Sequence, residues 1–235
     1  MHNILISGGI NSSFMLVKAL RDYRDKKPSW VRGRLVDRKP EKVVATFVDY
    51  GQKAVNEERK AAKSITEQYE VDLFCISSTS LSMLYVRDFG LEVNMPDKPA
   101  HGQEWERFGH FGGLTMTLVS AAASVPGTTV IHIGYSRENM EMADENTDLY
   151  IDALNKFTNP VYGYRVSLPL RNHNRGHIAA TATHSSRTKH PMFALDLTWS
   201  CDEPYQDGVP CGRCRSCTTR SSVISKLEEH PQVVA

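Results

Sequence analysis

Short β-branched and apolar runs alternate along this chain with longer helical patterns, and few folds accommodate that alternation. The runs fall at residues 3–6, 42–48, 72–77, 129–134 and 165–168, each too short for anything but a strand. Between them, 13–23 puts Phe14, Val17 and Leu20 on one helical face, and 56–69 is charged with a spaced apolar stripe. Residues 114–123 are almost wholly apolar, which predicts a buried helix, and 148–157 is a shorter amphipathic one. Strands that alternate with helices predict an α/β fold, a doubly wound parallel sheet covered on both faces. Residues 86–113 carry Pro96, Pro99 and several glycines without a period and read as a long loop over a site. Residues 21–42, basic but interleaved with Asp and broken by Pro28, Gly33 and Pro40, read as a solvated surface insertion.

The C-terminal part follows a different logic. Cys201 is followed by Cys211, Cys214 and Cys217, so that two overlapping C-x-x-C spacings meet a fourth sulfur from across a short loop. Thiolates one tight turn apart suit tetrahedral zinc, and four sulfurs leave no position for water or substrate, which makes the metal structural. Two disulfides are the alternative; a chain that starts directly on a strand pattern, without a secretory segment, is expected in the cytoplasm, where bridges are rare. The expected organisation is an α/β domain over 1–197 and a zinc-binding segment over 198–235 packed on it. The fifth cysteine, Cys75, lies in an apolar run and reads as a buried small hydrophobe.

The bulk numbers bound the function. A chain of 235 residues can bury roughly 70% of its unfolded surface, so zinc is not needed to rescue a small core. A formal net charge of +1 gives no footprint for gripping long nucleic acid through its phosphates. No apolar run approaches the ~20 residues of a membrane helix.

Ser7-Gly8-Gly9-Ile10-Asn11-Ser12-Ser13 lies between the first strand and first helix, where backbone amides and a helix dipole make an anion site. The glycines allow close approach of an oxyanion, and Ser7, Ser12 and Ser13 add hydroxyl donors. A phosphate or pyrophosphate is the natural guest; an ordinary strand-to-helix turn is the alternative. Neither a P-loop Gly-Lys-Ser/Thr nor the dinucleotide glycine pattern is present. His173 and His177, four apart with Gly176 between, read as a solvated pair and are assigned no metal.

The loop resembles the Ser-Gly-Gly-x-Asp-Ser signature of the PP-loop ATP pyrophosphatases (adenine nucleotide α-hydrolase-like). Within them the chain is similar to the 7-cyano-7-deazaguanine synthases (QueC). Phe47-Val48-Asp49-Tyr50-Gly51-Gln52, Ile133-Gly134, Pro169-Leu170, and Thr198-Trp199-Ser200-Cys201 through Cys217 occur in that family's order. The resemblance implies that 7-carboxy-7-deazaguanine and ammonia become 7-cyano-7-deazaguanine through an adenylated carboxylate and an amide, with ATP as co-substrate and Mg2+. It implies phosphate contacts from Ser7, Gly8, Gly9, Ser12 and Ser13, and nucleotide contacts from Asp49 and Tyr50. It also implies a phosphate-facing cation at Arg175, where the family has lysine and a surface arginine is the alternative. Ser7, Asn11, Ser12 and Arg175 are the expected catalytic set.

The chain departs from the family pattern at three places. Asn11 stands where the family has Asp, a neutral amide in place of a contact suited to magnesium. Gly109-His110-Phe111-Gly112 stands where the family has Pro-x-Arg-Asn, and Ala143 to Thr147 where it has Tyr-Pro-Asp-Cys-Arg. Asp144 and Glu145 remain candidate acceptors for a guanine-like edge, ordinary surface acids being the alternative. Other readings of the same residues are a QueC-like enzyme with altered substrate, one that stops at the amide or one that couples the acyl group to another amine. A tRNA-modifying PP-loop enzyme and a degenerate ATP-binding module are the remaining ones. The expected partners are small molecules, with no stable nucleic acid and no membrane; a homodimer is compatible with the sequence.

Overall fold

The structure, a computed structural model, describes residues 1–25, 29–31, 34–36, 39–78, 114–140, 148–183, 193, 195–205 and 208–229. Five parallel strands form one sheet: β1 (His2–Leu5), β4 (Val43–Asp49), β5 (Leu73–Ser77), β6 (Val130–Ile133) and β7 (Arg165–Ser167), in the order β5-β4-β1-β6-β7. β1 pairs with β4 on one side (Leu5 opposite Thr46) and with β6 on the other (Leu5 opposite Ile133). The chain therefore runs outward from β1 to one edge, returns, and runs outward to the other. This reversal leaves a switch point between β1 and β6, and a crevice opens beyond the carboxyl ends of such strands.

Helices cover both faces, which is why the central strands read as near-continuous apolar runs. On one side α1 (Ile10–Ala19), α2 (Val55–Gln68) and α6 (Arg175–Thr183) bury Ile4, Ile6, Ala45 and Phe47 against Leu16, Ile65 and Ile178. On the other, α3 (Leu114–Ala123) and α5 (Asp148–Tyr162) cover Leu5, Val48, Ile131 and Ile133 with Val119, Ile151 and Leu154. Burying a side chain of this size contributes about 1.5–3 kcal/mol. Asn3 is a buried polar exception in β1, and its amide is satisfied: Nδ2 donates to the Ala122 carbonyl (2.9 Å) and Oδ1 accepts from Thr46 Oγ1 (2.9 Å). No described helix is long and apolar enough to cross a membrane.

The elements depart from the sequence expectations in instructive places. α1 begins at Ile10 with Gly9 as its N-cap, three residues ahead of the expected start, so that Ser12 and Ser13 lie inside the first helical turns. It continues into a π-helical turn, Leu20–Arg24, and a small antiparallel ladder pairs β2 (Ser29–Val31) with β3 (Arg34–Val36). The stretch expected as a solvated insertion thus has structure of its own, and Tyr23 stacks on His2 with ring centroids 3.7 Å apart, while Leu20 is in the core as its place on the helical face predicts. α5 runs to Tyr162, past Phe157 and through Pro160, which has no N–H to donate to the carbonyl four residues back. Cys75 corrects another expectation: it is exposed, on β5, an edge strand of the sheet among the described residues. The expected loop at 86–113 lies outside the described residues.

Candidate functional site

The glycine loop bridges β1 and α1 at the carboxyl end of the sheet, beside the switch point. Gly8 has φ +75° and sits so close to α2 that a Cβ there would come within 2.7 Å of the Glu58 carbonyl and of Ala61 Cβ, so no other residue fits. The serines brace the turn. Ser12 Oγ accepts from the Ser7 N–H (3.2 Å), donates to the Gly9 carbonyl (3.1 Å) and lies 3.2 Å from Ser7 Oγ. Backbone N–H groups at the start of α1 carry no side-chain cap, which suits the end of the helix to an anion.

Around this loop opens a cleft of about 290 Å³. Its floor comes from Ser7, Gly9, Asn11 and Ser12, one wall from Gln52 and Glu58, the other from Gly134 and Asn139, and Arg175 enters from α6. The remaining wall belongs to the C-terminal segment: Trp199, Ser200 and Asp202, with Ser216, Thr219 and Arg220 of α7 (Arg215–Glu229). Both arginines are lowered in pKa by burial; Glu138 and Asp202 oppose this at Arg175, and Cys217 and Asp196 at Arg220. Glu138, on the short helix α4 (Arg137–Met140), accepts the backbone N–H of Arg175 at Oε1 (3.0 Å) and so fixes the start of α6. Glu58 is the unusual acid. Burial raises its pKa to about 7, the Gln52 hydrogen bond opposes this, and the acids Asp202 and Glu57 add to it.

The four cysteines meet at the outer side of that last wall. Their sulfurs all lie within 4.8 Å of one another, with Cys201 and Cys217 buried. Successive backbone N–H groups point at sulfur: Cys211 to Cys201 (3.3 Å), Cys214 to Cys211 (3.3 Å) and Cys217 to Cys214 (3.4 Å). Such bonds stabilise thiolates, and at Cys211 they pull the pKa down to about 7, whereas burial pushes Cys217 up to about 12. A cation held between the sulfurs would draw off those protons, so this donor set fits a metal ion. The segment is tied to the loop through Trp199, whose N–H donates to the Gly8 carbonyl (2.9 Å). Arg220 ties it to itself, donating from Nη1 to Thr198 Oγ1 (2.8 Å) and Ser200 Oγ (3.1 Å), and to the preceding chain, donating from Nη2 to the Leu195 carbonyl (2.6 Å).

Of the residues singled out from sequence, Ser7, Gly9, Asn11, Ser12 and Arg175 converge on one cleft. Gly8 contributes the turn, and Ser13 is fully buried behind it with its hydroxyl unpaired, away from the cleft lining. Asp49 is engaged by Arg59 (2.6 Å) and by the Gly51 N–H (3.1 Å), while Tyr50 packs against the second core cluster. Asp144 and Glu145 lie outside the described residues. His173 and His177 face each other with ring centroids 5.4 Å apart. Sequence reasoning missed Glu58, Asp202 and Arg220, which look like ordinary charged surface positions until the fold places them along one cleft. Gln52 stood in a recognised motif without a role.

Comparison with known proteins adds the family. Residues 29–228 match the family described as queuosine biosynthesis protein QueC. The 7-cyano-7-deazaguanine synthase of Campylobacter fetus is 26% identical over 230 residues, spanning 92% of this chain and 88% of that protein. Those of Aliarcobacter butzleri and Methanospirillum hungatei are each 24% identical, covering 92% and 95% of this chain and 87% and 94% of theirs. Among solved structures, the U34-tRNA thiolase NcsA from Methanococcus maripaludis with its [4Fe-4S] cluster shares the fold, with a TM-score of 0.52 at 14% identity. That match covers 98% of this chain and 67% of the thiolase.

Proposed function

This chain belongs to the QueC family, and on that premise we propose that it is an ATP-dependent carbon–nitrogen ligase that converts 7-carboxy-7-deazaguanine and ammonia to 7-cyano-7-deazaguanine. The observation that carries the reading is the single cleft at the β1/β6 switch point, in which the glycine loop, Arg175 and Arg220 face one space. The loop amides with Ser7 and Ser12 hold the ATP phosphates, and the arginines offset the charge that builds as the substrate carboxylate attacks the α-phosphorus and pyrophosphate departs. Because the attacking group is already an anion, this step needs alignment and charge neutralisation more than acid–base chemistry. Aminolysis of the adenylate then gives the amide, and a second activation with loss of water gives the nitrile. Magnesium reaches the site as the counter-ion of ATP, and Asn11 offers it a neutral amide. Asp144 and Glu145 are our candidates for the guanine-like edge.

Zinc is our assignment for Cys201, Cys211, Cys214 and Cys217. A single tetrahedral ion with Zn–S of about 2.3 Å sets its sulfurs roughly 3.8 Å apart, and the Cys201–Cys214 sulfur distance of 4.0 Å supports that size. Thiolates on the corner irons of a four-iron cluster stand much farther apart. With sulfur in all four positions, zinc supplies folding free energy and no chemistry.

Incubation with ATP, ammonium and 7-carboxy-7-deazaguanine, followed by mass analysis, tests the function. AMP together with the nitrile is the expected result; no AMP overturns it. Accumulation of the amide alone favours an enzyme that stops one step earlier, a reading motivated by the departure from the family's substrate segment at Ala143 to Thr147.

A further inference from the structure

Forming a carbon–nitrogen bond creates a demand that adenylation does not: a proton must leave the nitrogen. The cleft restricts where it can go. Its described lining contains no histidine, lysine or cysteine, and its ionisable side chains are Glu58, Tyr135, Arg175, Asp202 and Arg220. Both guanidiniums are permanent cations, which leaves two carboxyls able to take a proton near neutral pH.

Glu58 is built for it. Gln52 Nε2 donates to Glu58 Oε2 (2.9 Å), and the amide cannot turn over, because Gln52 Oε1 accepts the Tyr50 N–H (2.9 Å) and Nε2 also donates to the Val48 carbonyl (3.1 Å). One carboxylate oxygen is therefore held by a fixed donor, leaving Oε1 to carry a proton. No ion pair to Glu58 occurs among the described residues. Arg59, next in sequence, is drawn to Asp49 (2.6 Å), and Lys53 reaches Glu203 (3.7 Å). The charges that face Glu58 are Glu57 on its own helix, Asp202 from the C-terminal segment, and Arg175 and Arg220 among the other cleft residues. Burial with two acidic neighbours brings its affinity for a proton to neutrality, where a general base works best.

We propose that Glu58 is the general base of the nitrogen-transfer step. The inference rests on the synthase reading above. The ammonia lone pair forms the C–N bond as the carbonyl π pair moves to oxygen. The nitrogen, now positively charged, yields one proton to Glu58 Oε1. Re-formation of the carbonyl expels AMP with the C–O bonding pair, leaving the neutral amide, and the protonated Glu58 returns its proton to solvent.

Because adenylation needs no base, the two half-reactions separate in Glu58→Gln. The ratio of amide formation from ammonium to ATP–pyrophosphate exchange dependent on 7-carboxy-7-deazaguanine should fall about 10²–10³-fold, and amide formation should lose its pH inflection near neutrality. Amide formation at the wild-type rate overturns the proposal, as does parallel loss of exchange in a folded variant. Should Glu58→Gln not fold, Gln52→Leu removes the donor that favours the anion, and the midpoint of the wild-type pH profile should move upward; an unmoved midpoint overturns the assignment. Wild-type enzyme without exchange overturns the synthase reading itself, and this step with it.

Discussion

Asn11 and His132 are both neutral, and their surroundings explain what that neutrality does. Asn11 Nδ2 donates to Asn139 Oδ1 (3.3 Å), which also accepts the Ser136 N–H (3.1 Å) and hydroxyl (3.0 Å), so the Asn139 amide is fixed with its oxygen toward α1. A carboxylate at position 11 would set oxygen against oxygen. Asn11→Asp should therefore destabilise the protein by about 1 kcal/mol without raising AMP formation at neutral pH; a gain in rate would mean that the amide is a handicap. At the opposite end of the strands, His132 Nε2 meets His2 Nδ1 (2.9 Å), and His2 Nε2 meets Glu41 (2.8 Å), with Tyr23 stacked on His2. Burial first, and the neighbouring His2 second, lower the His132 pKa from 6.5 to about 3. The folded state refuses a proton that the unfolded chain accepts, so stability is intact above about pH 6.5 and falls as pH drops toward 3, by a few kcal/mol at most. Denaturant titrations of wild type and His132→Gln should show a flatter acid slope in the variant; equal slopes would place the sensitivity elsewhere.

At the scale of elements, the glycine loop shows how much position depends on backbone. Gly8→Ala combines a left-handed φ with contacts of 2.7 Å to α2, which together should cost about 2–5 kcal/mol. Chemical denaturation measures this directly, and a loss below about 1 kcal/mol would show that α2 yields. Strands and most helices were legible because their apolar periods are local. β1, β4, β5, β6 and β7 each overlap an expected run. The π-helical turn and the β2–β3 ladder were not legible, since the charges of residues 21–42 mask Tyr23, whose ring partner His2 lies on β1. The site divided in the same way. A glycine loop and four close cysteines announce their geometry through spacing. Glu58 and Arg220 become cleft residues only when α2 and α7 are turned toward each other, a tertiary fact without a local signal.

For the whole molecule, the question is why a four-cysteine cluster able to hold a metal stands beside the cleft of the glycine loop. Both hydrophobic clusters draw on the sheet and its flanking helices, and neither core contains a residue from 198–229. The C-terminal segment thus adds no side chain to the two described clusters, yet it supplies Trp199, Ser200, Asp202 and Arg220 to the cleft. Its hold on the domain includes the Trp199 bond to Gly8, and its own shape depends on the Arg220 contacts and on the sulfur cluster. Structural zinc can contribute on the order of 10 kcal/mol to a small site, enough to decide whether that wall exists. Cys214→Ser should thus release the metal, leave the helix and strand signal of far-UV circular dichroism close to wild type, and weaken ATP binding at least about tenfold, or 1.4 kcal/mol. Metal analysis, dichroism and calorimetric titration with ATP read the three quantities independently. Full ATP affinity in a metal-free variant would show that the domain holds its ligand without this wall, and the cleft would have to be redrawn without Trp199 and Arg220.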